Sequence, residues 1–176
     1  MSANISEYDA LKKRYERMIN VMNSYIVAAA QTGKDLTGNP KLFFHKFIAN
    51  RMRSKLEEMT RAGHVLPKTK DYKEAVEAYI GLMANTGGVL TREKFEVKME
   101  DDVLVVKVLP GGCPYYKACK VMSERFESPG CVRASILTEV IKESCDVSGL
   151  DYVYKLGLPE KACEIKIGDV LRVGEV

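Results

Sequence analysis

The chain divides by the period of its apolar residues. Over residues 5–31, Tyr8, Leu11, Tyr15, Met18, Met22, Tyr25 and Ala29 recur at alternating spacings of three and four, which predicts one long helix with a narrow apolar stripe. So narrow a stripe suits packing on one surface, either the body of the domain or a second copy of the chain. Residues 32–40, TGKDLTGNP, hold Gly, Asn and Pro and are expected to end it. A second helix, about 41–62, follows Pro40 with Asn39 as its cap and Gly63 as its stop. Phe44, Phe47, Ile48, Met52, Leu56 and Met59 are its expected core side. A third, about 71–85, opens at Asp71 and turns Ala75, Val76, Tyr79, Ile80, Leu82 and Met83 inward, with NTGG at 85–88 as its end.

The period then becomes two. Phe95, Val97 and Met99 alternate with Glu96 and Lys98, Glu100–Asp102 make a turn, and residues 103–109 supply a second strand of a hairpin. Residues 115–126 are weakly helical. Ser128, Pro129 and Gly130 break the chain before a clear helix, about 131–144, whose apolar face is Ile136, Leu137, Val140 and Ile141. Residues 152–156 and 162–167 alternate again and form a second hairpin, with a short edge strand expected after Gly168. Strands that come as hairpins imply an antiparallel sheet with helices segregated against it, so the expected class is α+β. The N-terminal helices pack on the sheet and a further helix lies between the hairpins. The expected organisation is a packing or dimerisation helix and loop over 1–40, followed by one domain over 41–176. No repeat or low-complexity tract interrupts it.

Composition narrows the setting. With 46% apolar and 29% charged residues, 176 residues can bury a core without a metal or disulfide. No apolar run spans a membrane and the N-terminus has no signal-peptide character, so the expectation is a cytoplasmic protein with no membrane partner. Residues 1–82 hold 14 Lys/Arg against 9 Asp/Glu. That excess is small and lacks interleaved aromatics, which argues for solvated helix faces over nucleic-acid contact. Neither a phosphate loop nor a dinucleotide fingerprint occurs. His45 and His64 are far apart, with no partner at metal-ligand spacing.

Chemistry concentrates elsewhere. All five cysteines, at 113, 119, 131, 145 and 163, lie in the last 64 residues, and three readings compete for them. They can be ordinary core residues. They can bind zinc or an iron–sulfur cluster, although none is spaced as CxxC. Cys131 and Cys145 cannot share one metal, since a helix from 131 to 145 holds them ~20 Å apart. Or one of them is a reactive thiol. Cys131 follows Pro129–Gly130 at a helix N-terminus with Arg133 nearby, both of which favour thiolate, and so is the candidate nucleophile.

The stretch from about residue 76 resembles the 4-vinyl-reductase (hydrocarbon-binding) domain superfamily, including aminothiazoline-carboxylate-hydrolase-like proteins. The resembling segments are EAYIGLMANTGG, FEVKMEDDVLVVKV, GCP, the cysteine-opened helix CVRASILTEVI and the closing hairpin DYVYKLGLPEKACEIKI. The resemblance implies an enclosed, largely apolar pocket, a dimer and ligand sensing, with zinc in some members. Carried onto this chain, it supplies Cys131 and Cys163 as metal ligands; Cys113, near the opposite hairpin end, has no counterpart among the family's ligands and is the candidate for a third. The family's strand cysteine falls near Gly157, where this chain has none. Tyr79, Met83, Tyr115 and Tyr116 are the candidate pocket lining. The expected function is binding or sensing of a small, mostly apolar molecule beside a cysteine site. The alternatives are a hydrolase of a small heterocycle or amide using Cys131, and a redox-responsive regulator.

Overall fold

The computed structural model describes residues 2–86, 90–157 and 159–170, with side chains from residue 8. The helices are α1 (Ser2–Thr37), α2 (Pro40–Arg61), α3 (Tyr72–Asn85), α4 (Tyr116–Arg125) and α5 (Val132–Cys145). The strands are β1 (Phe95–Glu100), β2 (Val103–Val108), β3 (Leu150–Lys155) and β4 (Cys163–Asp169). The α+β class is therefore observed. Both hairpins form, and β2 joins them by pairing antiparallel with β4, giving the order β1-β2-β4-β3. In that register Val108 faces Cys163 and Val106 faces Ile165.

α5 is the centre of the molecule. It packs on β3 and β4 and against α2 and α3, and it is buried without a break from Val132 to Thr138. An apolar helix surrounded on all sides belongs in a core. Its N-terminus is pinned by Tyr152 of β3, which is fully buried. The Tyr152 hydroxyl accepts from the Cys131 N–H at 3.2 Å and shares a 3.0 Å hydrogen bond with Ser135 Oγ.

Local signals hold for α2 and α3. Asn39 Oδ1 accepts from the Leu42 N–H, and Asp71 Oδ1 accepts from the N–H groups of Lys73 and Glu74. α2 closes with the Gly63 N–H on the Thr60 carbonyl and the His64 N–H on that of Met59, the paired bonds of a Schellman ending. Gly87 and Gly88, expected to close α3, lie outside the described residues, as does most of the stretch expected to form an edge strand after Gly168.

α1 departs from expectation in its length. It runs on through TGKDLT to Thr37, because Gly33 serves close packing instead of a turn: a Cβ there would lie 2.6 Å from the Phe43 ring. Of the two surfaces its stripe could serve, the domain's own body takes little beyond Met22. Tyr8, Leu11, Tyr15, Met18 and Tyr25 are exposed, while Asn23, Ile26, Ala30 and Gly33 are buried against α2 and α4. Phe47 of α2, expected in the core, is exposed as well. No described helix is long and apolar enough to cross a membrane.

Candidate functional site

Four of the five cysteines converge where α4, α5 and β4 meet. Cys113 precedes α4, Cys119 lies on it, Cys131 caps α5 and Cys163 opens β4. All five thiols are free. Cys145 lies at the far end of α5, near Asp71 and Glu74, and takes no part.

Cys131 occupies a position that normally holds Ser, Asp or Asn. Its Sγ accepts from the Ala134 N–H at 3.5 Å, and only 7% of the residue is exposed. The Cys119 thiol hydrogen-bonds to it, which is the largest influence lowering its pKa. Burial opposes this, while the N–H groups of Ala134 and Arg133 and the Arg133 charge add to the lowering. The same hydrogen bond, then burial, pushes Cys119 up. Of the two, Cys131 is the more acidic, because the helix N-terminus and the guanidinium both face its side of the pair. Burial pushes Cys113 up to about 11 and also raises Cys163. One thiol of lowered pKa thus stands among three whose pKa values are raised.

Arg133 completes the electrostatics. It is 2% exposed, and its guanidinium lies 5.4 Å from the Tyr115 ring centroid and 5.5 Å from that of Phe95. Its charge reaches Tyr79, Tyr115, Cys113 and Cys131. Its Nε and Nη2 have no hydrogen-bond partner among the described residues. Tyr79 is raised to about 12 by burial, with Arg133 opposing, and burial likewise raises Tyr115. On the other side of Cys131, Tyr154 donates to the Pro129 carbonyl at 3.3 Å. A depression of about 320 Å³ opens there, bounded in part by Phe126, Tyr152, Tyr154 and Leu156.

The structure thus brings Tyr79 and Tyr115 to the site with Cys113, Cys131 and Cys163. Met83 packs against the core from the last turn of α3, and Tyr116 stands half-buried at the start of α4. The larger grooves lie elsewhere: one of about 620 Å³ between the ends of α2 and α5, and one of about 890 Å³ beside Cys145. None of the four expected pocket residues lines either. As for a metal, no three of His, Cys, Asp and Glu among the described residues are placed to hold an ion. Cys119, the nearest thiol partner of Cys131, spends its proton on a hydrogen bond instead. Gly157 cannot be a cysteine in this arrangement, since any Cβ would lie 1.9 Å from the Ala162 carbonyl oxygen.

Arg133 and Cys119 carry more of the site than the sequence pattern assigns them. Arg133 had a signal: it precedes Leu137 by four and Val140 by seven, so it sits on the apolar face of α5. Cys119 had none, for its role depends on how α4 docks. Compared with protein-family models, curated proteins and solved structures, the chain matches none.

Proposed function

We propose that the protein binds a small, mostly apolar molecule beside Cys131, as a sensing or carrier domain. One observation carries this reading. An apolar core holds the Arg133 guanidinium, with two donors unpartnered among the described residues, next to a cysteine of lowered pKa, a combination that folding does not require and that costs free energy to bury. Such groups persist where a ligand uses them. The same order of elements that resembles the 4-vinyl-reductase domains supports the reading, and the five free thiols suit a reducing, cytoplasmic setting. The exposed 3–4 stripe of α1 suits a homodimer, since its spacing is that of a coiled-coil seam.

Native mass spectrometry of the purified chain tests the reading. A co-purified small molecule, lost in Cys131→Ser or Arg133→Met, is expected. Mass equal to the bare chain, together with no thermal shift across a panel of apolar small molecules, would refute it. Zinc rests on the resemblance alone. Metal analysis after chelator-free purification decides it, with under ~0.1 equivalent counting against a site.

The hydrogen bond between Cys119 and Cys131 favours one further reading, hydrolysis of a small amide or heterocycle. Cys131 Sγ would attack the carbonyl carbon, the C–N bond would break as the Cys119 S–H protonates the departing nitrogen, and water, giving its proton back to Cys119, would then cleave the thioester to release the acid and free Cys131. Turnover that vanishes in Cys131→Ala while the fold persists would establish it.

A further inference from the structure

The binding proposal leaves the polar end of the ligand undefined, and Arg133 defines it. The two atoms without a partner among the described residues are Nε and Nη2, which share one edge of the guanidinium and present two parallel N–H donors. That edge matches the two oxygens of a carboxylate. Only 2% of the residue is exposed, so the pair is closed off from bulk solvent. The sulfur of neighbouring Cys131 is engaged by the Ala134 N–H and the Cys119 thiol, and it accepts from neither donor. A buried arginine with a purely structural role would find a carbonyl or carboxylate among its neighbours. Here the neighbours are the rings of Phe95 and Tyr115, each within 6 Å of the guanidinium carbon. They fix its position and accept no hydrogen bond along that edge.

We propose that the Nε–Nη2 edge of Arg133 is a carboxylate-binding site, and that the protein's ligand is a small monocarboxylic acid whose apolar remainder lies among Phe95, Tyr79 and Tyr115. This rests on the binding reading above and sharpens it. A phosphate fits less well. It would bring two charges to a single guanidinium, with the aromatic neighbours Tyr79, Tyr115 and Phe95 offering little else. Helix α5 has fourteen residues, so its N-terminal dipole also acts on the bound oxygens. The carboxylate and Cys131 then draw on the same positive charge, so occupancy makes Cys131 hold its proton more tightly.

The test uses matched probes on the full chain: hexanoate against hexanol, and benzoate against benzyl alcohol, by calorimetry and thermal shift. Each acid is expected to bind at least tenfold more tightly than its alcohol. Arg133→Lys keeps the charge and loses the two-donor edge, and is expected to remove most of that preference. Hexanoate, but not hexanol, is expected to reduce the ultraviolet thiolate absorbance of the wild-type protein, a readout that survives should Arg133 variants fail to fold. Equal binding of acids and alcohols would overturn the carboxylate site and leave the binding reading standing. A preference unchanged in Arg133→Lys, with no loss of thiolate absorbance, would overturn it too. If no probe binds at millimolar concentration, both readings fall.

Discussion

At the scale of single residues, the site depends on which sulfur keeps its proton. Cys119 donates and Cys131 accepts, so removing the donor should return Cys131 toward its ordinary value. Cys119→Ala is expected to raise the Cys131 pKa, whereas Cys119→Ser, which still donates, should leave it nearly in place. Ultraviolet thiolate titration of each variant, against Cys131→Ser as the blank, reads this directly. A wild-type protein with no thiolate at neutral pH would refute the assignment. His45 offers a second titration. Burial, then the nearby Lys142 charge, lowers its pKa below 6.5, with Glu139 opposing. Lys142 Nζ lies 3.4 Å from its Nε2, consistent with a neutral ring. Below pH 6.5 the unfolded chain takes a proton there more readily than the folded one, so stability is lost as pH falls through that value. His45→Gln should flatten the fall in urea midpoint between about pH 7 and pH 5.5; an unchanged slope would place its cause elsewhere.

At the scale of elements, α4 shows what a local reading misses. Its N-cap position, Tyr115, makes no side-chain capping bond. The cap comes from 95 residues away, where Asn23 of α1 accepts from the Ala118 N–H at 2.9 Å and donates to the Pro114 carbonyl at 2.9 Å. Asn23→Ala leaves both groups buried and unpaired, and should cost about 2 kcal/mol in chemical denaturation. A loss below about 0.5 kcal/mol would mean that water replaces it. This long reach explains why residues 115–126 read as only weakly helical. Elements that carry their own signals were legible: the Asn39 and Asp71 caps, the alternation in both hairpins, and Cys131 as the opening residue of α5. The face of α1 was not. Its large residues advertise one stripe, but the buried one is built from Asn23, Ile26, Ala30 and Gly33, chosen for close approach and for a polar clamp. The grouping of Cys113 and Cys163 with Cys131 was expected through the resemblance, whereas the approach of Cys119 was invisible, because it is fixed by the docking of α4.

At the scale of the whole molecule, α1 divides into a half that belongs to the core and a half that projects an apolar seam. Leu11→Glu with Met18→Glu should abolish self-association in sedimentation while leaving the monomer folded, since both residues are exposed. A wild-type protein that sediments as a monomer at all concentrations would remove the dimer. The Asn23 clamp gives this division a thermodynamic meaning. The same helix that offers the seam also holds the segment between Pro114 and Ala118, and with it the backbone flanked by Cys113 and Cys119. On the proposed reading, in which the chain pairs through this seam and binds a ligand at the cysteines, Asn23 would join the two events, and any linkage between them would be reciprocal: the factor by which a ligand strengthened pairing would be the factor by which pairing strengthened hold on the ligand.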